Sequence, residues 1–389
     1  MPDPCIELLA RLVSIDSVNP SLVDEAAAET GVAAAIADHL RGLGLEVHLQ
    51  DVAPGRPNVI GVLDSGLPGP SLMFCGHTDT VGVEGMAAPF TPSIRDGRLY
   101  GRGSQDMKGG VAAMIDAARV VRERGLNRGR LIIAAVVDEE FESIGADALV
   151  KEWRADAAVV TEPTDLQIGI GHKGFAWFEI ETAGRAAHGS RPKDGRDAIL
   201  RMGRVLARLE ALDRSLQARP VHPVMGTPSL HASTIAGGRE WSVYPDRCLL
   251  QMERRTVAGE SLSEVEREVG AILDDLRQED PEFEATMGVR FSRPPYQTPA
   301  GSMLPGLVER CAAARGVRTA PTGLSFWTDA AILGDAGIPS VLFGPGGAGL
   351  HSIEEYVDVA DVLACRDVLS DLVLAWTVNR TGFLGGLIP

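Results

Sequence analysis

The sequence contains few aromatic residues, no closely spaced cysteines and no apolar run long enough to cross a membrane. Aromatic side chains make up 5% of the 389 residues, and the five cysteines form no C-x-x-C pair. An odd number of widely separated cysteines indicates reduced thiols rather than a disulfide framework. The longest strongly apolar run, residues 131–137, is far shorter than the roughly 20 residues of a transmembrane helix. The N-terminal residues lack the basic and apolar regions of a signal peptide, so we expect a cytoplasmic protein.

An excess of positive charge is also missing. Lys and Arg number 37 against 53 Asp and Glu, which gives a net charge of −16. This balance argues against nucleic acid and anionic membranes as main partners. The hydrophobic fraction of 45% and the charged fraction of 23% are typical of a globular protein. A chain of 389 residues is too long for one ordinary core, so we expect two domains.

The first third of the chain alternates between strand-like and helix-like segments. Residues 72–75, 131–137 and 157–160 are short, continuous apolar runs. Such runs are typical of parallel strands that are buried on both faces. Residues 109–123 have the composition of a helix between two of these strands. The pattern predicts an α/β domain with a central, mostly parallel sheet.

The middle of the chain has a different order of elements. It reads strand, helix, strand, strand, helix, strand, over residues 175–182, 197–212, 229–235, 243–253, 261–276 and 283–291. This order matches a ferredoxin-like α+β sandwich. The α/β pattern then returns, with a helix at 303–315 and an apolar run at 339–343. We therefore predict that residues 174–292 form a domain inserted into a first domain made of 1–173 and 293–389.

Acidic residues and histidines follow the ends of the predicted buried strands. These residues are His77 and Asp79, then Asp138, Glu139 and Glu140, then Glu162, and finally His351 in a glycine-rich loop. Open α/β sheets bind their ligands beyond the carboxyl ends of the strands. We therefore expect these side chains to meet at one edge of the sheet.

Asp106 lies in the glycine-rich segment 101–110, just before a predicted helix. The segment lacks the G-x-x-x-x-G-K-[ST] pattern of a phosphate-binding loop, and the Asp would repel phosphate. The glycines allow a tight bend that directs Asp106 into the same cleft. The alternative interpretation is a helix N-cap.

Two imidazoles with several carboxylates and no thiolate predict zinc or a similar divalent ion. A catalytic zinc usually has about three protein ligands, so this set is too large for one ion. Shared through one carboxylate, the set suits two ions roughly 3.5–4 Å apart that activate a water molecule. Glu139, beside Glu140, is placed to accept a proton from that water. The alternative for this acidic pair is a solvated turn.

Five motifs together resemble the co-catalytic zinc peptidase/deacylase family. They are His77-Thr-Asp79, the glycine-rich segment 101–110, residues 138–140, residues 161–164, and residues 343–346 with His351. The family includes acetylornithine deacetylase, succinyl-diaminopimelate desuccinylase, glutamate carboxypeptidase and aminoacylases. Because the motifs occur in order from residue 77 to 351, the resemblance covers nearly the whole chain.

The resemblance implies a role for each matching residue. His77 and Glu162 would bind one zinc ion, and Glu140 and His351 the other, with cobalt or manganese as possible substitutes. Asp106 would bridge the two ions. Glu139 would be the general base, and Asp79 would orient His77.

The inserted segment resembles the dimerisation domain of that family, which implies a homodimer. His188 matches a histidine that donates to the oxyanion, often from the neighbouring subunit. Arg255 matches an arginine that holds a substrate carboxylate. Strand alternation allows only one of Arg254 and Arg255 to face the site, and we favour Arg255, although pairing with a nearby acid is the alternative.

Three further positions are candidates for substrate contacts. His231 stands where the family often has Asn, and a packing role is equally plausible there. Thr328 follows Phe326 and Trp327, where smaller residues are common, and Gly346 lies in the last motif.

The predicted reaction is hydrolysis of the amide bond of a small N-acyl amino acid, of the acetylornithine deacetylase type. A carboxypeptidase or dipeptidase with the same two-zinc centre is the nearest alternative. A binding or dimerising protein that has lost activity is a more distant one, and the presence of all five ligands and the base argues against it.

Overall fold

The computed structural model describes residues 3–379. The chain divides into two compact units. Of the described residues, the first unit contains 3–170, 298–322 and 328–379, and the second contains Gly171–Gln297 and Gly323–Trp327. Residues 323–327 group with the second unit, although the predicted boundaries place them in the first domain.

The helices fall mostly in the first unit. In chain order they are α1 Pro4–Val13, α2 Thr30–Gly42, α3 Gly109–Arg124, α4 Ile144–Glu152, α5 Ala198–Gln217, α6 Leu262–Glu279, α7 Leu304–Ala314, α8 Ala330–Asp335 and α9 Val359–Asn379. A single π-helical turn, Ser104–Lys108, precedes α3. In the part of the chain that the structure describes, no helix has the length and apolarity to cross a membrane.

Within residues 3–379, the strands form three sheets. In chain order they are β1 Glu46–Ala53, β2 Arg56–Asp64, β3 Ser71–His77, β4 Ser93–Arg95, β5 Arg98–Tyr100, β6 Arg130–Val136, β7 Ala157–Val160, β8 Ile168–His172, β9 Gly174–Ala183, β10 Ser229–Gly237, β11 Arg247–Thr256, β12 Ala285–Arg293, β13 Tyr296–Gln297, β14 Pro321–Leu324, β15 Ser340–Leu342, β16 Gly347–Ala348 and β17 Tyr356–Asp358.

The first unit is built on a sheet with the order β1-β2-β6-β3-β7-β15-β8. Its centre, β6-β3-β7-β15, is parallel, and every residue of β3 and β7 is buried. This confirms the predicted α/β class with a mostly parallel central sheet. Helices α1, α3 and α9 pack together against the sheet and share one continuous core with it.

A smaller antiparallel sheet, β16-β17-β5-β4, also belongs to the first unit. Tyr356 of β17 pairs with Tyr100 of β5. This pairing brings the end of the loop that carries His351 beside the start of the loop that carries Asp106. Neither β4, β5 nor the pairing itself was predicted from the sequence.

The second unit contains a four-stranded antiparallel sheet with the order β10-β11-β9-β12 and two helices, α5 and α6. The strand and helix order is that of a ferredoxin-like sandwich. One face of the sheet packs on the helices through residues such as Phe178, Ile180 and Leu250. Ser261 begins α6 with a capping box to Glu264, which satisfies two free N–H groups of the first turn.

Candidate metal centre

Parallel register brings the predicted residues to one edge of the central sheet. His77 is the last residue of β3 and pairs with Val136 at the end of β6. Cys75 pairs with Val160, the last residue of β7. Because β3, β6 and β7 all end at this level, His77, the acidic segment after β6 and Glu162 after β7 leave the sheet together.

The carboxylate of Asp106 lies between two imidazoles. Its Oδ1 atom is 3.1 Å from Nε2 of His77, and its Oδ2 atom is 3.3 Å from Nε2 of His351. Each oxygen therefore faces a different histidine, which is the arrangement expected of a carboxylate shared by two cations. Nε2 of His351 is also 3.0 Å from Oε2 of Glu140.

Two further carboxylates surround Nε2 of His77, with Oε1 of Glu162 at 3.9 Å and Oε2 of Glu139 at 4.0 Å. Ligand atoms of His77, Glu139 and Glu162 lie within 4.8 Å of one another, as do those of His77, Asp106 and Glu140. The Oε1 atoms of Glu140 and Glu162 are buried and have no hydrogen-bond partner within residues 3–379. Buried oxygens need a partner, so this donor set fits divalent cations held by oxygen and imidazole nitrogen.

The crowded carboxylates perturb the ionisation of the group. Burial and the charge of Glu162 raise the pKa of Glu139 well above its usual range. Burial and the charge of Asp106 raise the pKa of Glu140 to about 7. Hydrogen bonding to Asp106 and Glu140 raises the pKa of His351 to about 10. Neighbouring carboxylate charge contributes to all three shifts, in addition to burial for the two glutamates, and this excess of negative charge favours added positive charge at this position.

The carboxylate of Asp79 is fully buried and anchors the backbone of the acidic segment. It accepts hydrogen bonds from the N–H groups of Glu139 at 3.1 Å and Glu140 at 3.2 Å. Nδ1 of His77 is 3.6 Å from Oδ1 of Asp79, but only 3.0 Å from the backbone carbonyl oxygen of the same residue. Asp79 therefore contacts His77 through both its backbone and its side chain, and it also positions residues 139 and 140, which the sequence did not predict.

Asn19 was not singled out from the sequence, although it lies at the centre of this arrangement. Its Nδ2 group donates to Asp79 at 2.8 Å and to Asp138 at 3.1 Å. Arg56 lies 2.8 Å from Asp138 and 2.6 Å from Glu29. A buried polar network thus runs from Glu29 to Asp79. The one sequence signal is the Asn-Pro pair at 19–20, which indicates a turn but not a partner 60 residues away.

Three of the predicted residues lie in the second unit. His188 is exposed, and its Nδ1 atom is 2.8 Å from Oγ of Ser190. Arg255 lies on the sheet face opposite the helices, where its Nε donates to Glu253 at 2.6 Å. His231 is exposed, with Nδ1 4.0 Å from the same carboxylate. Arg254 points to the other face, where it is fully buried and binds Glu260 at 2.6 Å.

Thr328 and Gly346 have local structural contacts. The Thr328 hydroxyl is buried and accepts a hydrogen bond from the N–H of Ala330 in the first turn of α8. The N–H of Gly346 donates to Asp361 at 3.2 Å. A Cβ atom on Gly346 would lie 2.7 Å from carboxylate oxygens of Asp165 and Asp361, so close packing accounts for the glycine.

Comparison with known proteins assigns this chain to the class of amide-bond metallohydrolases. The model of Peptidase family M20/M25/M40 matches residues 73–375, and the chain belongs to that family. An acetylornithine deacetylase from Myxococcus xanthus is 31% identical over 96% of this chain and 97% of the relative. An N-formyl-4-amino-5-aminomethyl-2-methylpyrimidine deformylase from Bacillus subtilis is 28% identical over 96% and 95%.

Solved structures share the fold at lower identity. A tripeptidase from Staphylococcus aureus superposes with a TM-score of 0.81 at 21% identity and covers 96% of this chain and 98% of its own. Human carnosine dipeptidase 1 gives a TM-score of 0.70 at 19% identity, with 96% of each chain covered. The family match and the deacetylase and deformylase relatives indicate that the chain is a metal-dependent hydrolase that acts on amide bonds.

Proposed function

We propose that this protein removes the acyl group from a small N-acyl amino acid with two divalent metal ions, zinc in the first instance. The observation that supports it most is the position of Asp106, whose two oxygens face the imidazoles of His77 and His351. His77 and Glu162 would hold one ion, Glu140 and His351 the other, and Asp106 both. Bound ions of this kind polarise a carbonyl and lower the pKa of water.

Three residues of the chain carry out proton transfer, positioning and oxyanion stabilisation in the proposed reaction. Glu139 accepts a proton from the attacking water and returns it to the leaving amine. Its raised pKa supports this role, because burial and Glu162 make its protonated form easy to reach. Asp79 keeps Glu139 in place through the N–H contact at 3.1 Å. His188 donates to the developing oxyanion.

Two observations support the proposed substrate class: the position of Arg255 and the names of the relatives. Arg255 presents a guanidinium on the open sheet face of the second unit, with 31% of its side chain exposed. Its planar group suits the carboxylate of an amino acid. Two proteins named acetylornithine deacetylase, from Myxococcus xanthus and Photorhabdus laumondii, match this chain over at least 95% of its length. His231, Thr328 and Gly346 are proposed as further contacts of the substrate pocket.

We also propose a cytoplasmic homodimer formed through the second unit, which comprises 174–292 in the predicted boundaries. Strand β10 is an edge of its sheet, and residues 231–237 are all exposed. An exposed edge strand offers unpaired N–H and C=O groups to a second chain. If His188 acts on the neighbouring subunit, a mixture of His188→Ala and His351→Ala proteins regains activity that neither has alone. Absence of any rescue would place a complete site in one chain.

The test of the proposed reaction is a substrate panel on protein of known metal content. The purified protein is dialysed against a chelator and assayed before and after addition of zinc or cobalt. We expect hydrolysis of N-acetylornithine to disappear with the metal and to return with it. Activity that survives complete metal removal would refute the mechanism. Faster cleavage of dipeptides than of N-acetylornithine or N-succinyl-diaminopimelate would replace deacylation with a peptidase reaction.

A further inference from the structure

Glu355 is a buried acid close to the metal centre that has not been assigned a role so far. Its side chain is fully buried, and it lies four residues after His351 in the loop between β16 and β17. Burial of a charged carboxylate is unfavourable unless hydrogen bonds compensate for the lost water. The contacts of Glu355 show what compensates it.

Four donors surround this carboxylate. Oε2 accepts from Nη1 of Arg102 at 2.7 Å and from the N–H of Gly103 at 2.9 Å. Oε1 accepts from the N–H of Gln105 at 2.8 Å and from the N–H of Asp106 at 3.1 Å. Three of the four donors are backbone groups of the loop that carries Asp106, so the carboxylate fixes the path of that loop.

Arg102 connects the same loop to the His351 segment. Its Nη2 donates to the carbonyl oxygen of Ser352 at 3.0 Å, and its Nε donates to that of Gly82 at 3.1 Å. The backbone N–H of Gly101 donates to the backbone carbonyl of Glu355 at 3.1 Å. The two loops are therefore joined by side-chain and backbone contacts at once.

Building on the proposed function, we infer that Arg102 and Glu355 are positioning residues that set the spacing between Asp106 and His351. We call this pair the loop clamp. His77 and Glu162 leave the ends of buried strands, whereas His351 and Asp106 lie on loops that need another support. The clamp would therefore position two ligands of the ion held by Glu140 and His351, namely His351 and Asp106, but only the shared Asp106 of the ion held by His77 and Glu162.

Glu355→Gln tests the clamp with almost no change in volume. An amide has one acceptor oxygen, so its NH₂ group must face two of the four donors. Support of metal ligands of this kind is worth about 10- to 100-fold in affinity. Cobalt(II) is titrated into chelator-treated, full-length protein and followed by calorimetry and by its visible absorption. We expect Glu355→Gln to lose at least about tenfold in cobalt affinity in at least one of the two binding steps, with an altered spectrum.

Glu260→Gln is the matched control. Glu260 accepts hydrogen bonds from buried Arg254 at 2.6 Å and from the N–H of Val257 at 3.0 Å, in the second unit. The Glu260→Gln substitution should lower the unfolding midpoint and leave the affinities of both cobalt-binding steps unchanged. Glu355→Asp, which keeps the charge, should restore part of the lost affinity. If Glu355→Gln does not fold, Arg102→Lys replaces it, since an ammonium group cannot reproduce the spread of contacts of this guanidinium.

The possible results distinguish failure of the loop clamp from failure of the proposed two-metal function. Two cobalt ions bound by Glu355→Gln with wild-type affinities and spectrum would overturn the clamp while leaving the two-metal centre intact. A wild-type protein that binds fewer than two cobalt ions would overturn the two-metal proposal, and the clamp with it.

Discussion

Replacement of Asn19 by alanine tests the support beneath the metal ligands. Asn19 is fully buried, and its Nδ2 group donates to the carboxylates of Asp79 and Asp138. Its Oδ1 accepts from the N–H of Ser21 at 2.8 Å. The substitution removes a donor from two buried charges and leaves no side-chain group in its place.

The expected loss in the free energy of unfolding follows from the charge of the two hydrogen-bond partners of Asn19, Asp79 and Asp138. A hydrogen bond to a charged group contributes about 1.5–3 kcal/mol, so two contribute about 3–6 kcal/mol. We expect a loss of about 3 kcal/mol in the free energy of unfolding, the lower end, because a water molecule can replace part of the donor set. The hydrogen bond from Asn19 also lowers the pKa of Asp79, against the effect of burial. Its loss weakens the acceptor that holds Glu139 and Glu140, so zinc affinity should fall by about 10- to 100-fold.

Asn58→Ala is the control. Asn58 is equally buried and also makes three side-chain hydrogen bonds, but to neutral groups of Gln50, Gly145 and Val137. Neutral hydrogen bonds contribute about 0.5–1.5 kcal/mol each, so the total loss of stability should be similar. Urea unfolding in chelator measures stability, and calorimetric titration measures zinc binding. Equal zinc affinity in the two variants would refute a role for Asn19 in positioning the ligands.

Three further substitutions test other residues. Glu139→Gln should retain two metal ions and lose about 10²- to 10⁴-fold in turnover; near-normal turnover in metal-loaded protein would remove Glu139 from the proton-transfer step. Arg255→Lys should raise KM for N-acyl amino acids and leave KM for their carboxamides unchanged, and equal effects on both would exclude a carboxylate contact. Burial lowers the pKa of His172 to about 4, whereas an unfolded His titrates near about 6.5. Its contribution to stability is therefore complete above about pH 6.5 and decreases as pH falls toward 4. Since one pKa unit corresponds to about 1.4 kcal/mol, this contribution is about 3 kcal/mol. His172→Gln should flatten the change in urea midpoint between pH 7.5 and 5 relative to the wild type, and an unaltered pH dependence would contradict this.

The parallel sheet and its strand ends were predictable because burial on both faces leaves a clear signal. Runs such as residues 131–137 contain only apolar side chains, and a buried parallel strand requires them. Once the strands are placed, topology brings their carboxyl ends together, so the proximity of His77 and Glu162 follows without knowledge of side-chain contacts.

The supporting contacts were not predictable because they join residues that are distant in sequence. The local sequence around each of these residues also gives no sign that it is buried. Asn19 precedes a proline and Glu355 follows another acid, and both patterns are common on protein surfaces. Strand β2 was missed because its pairing with β1 depends on the turn at Gly55, which has a φ of 74°. The assignment of residues 323–327 to the second unit depends on tertiary contacts alone.

Two kinds of contact therefore hold the candidate site in place, and they differ in their sensitivity to single substitutions. The proposed ligands at strand ends are held by the core itself, since moving His77 would require moving β3, which is buried like its neighbour β7. The proposed ligands on loops are positioned by buried carboxylates, which accept hydrogen bonds from several N–H donors and lose acceptor capacity when they are replaced by an amide. Substitutions at Asn19 and Glu355 should thus change metal affinity more than substitutions of equal stability cost in the apolar core. We therefore expect hydrolysis to depend on a small number of polar residues that contact neither substrate nor metal.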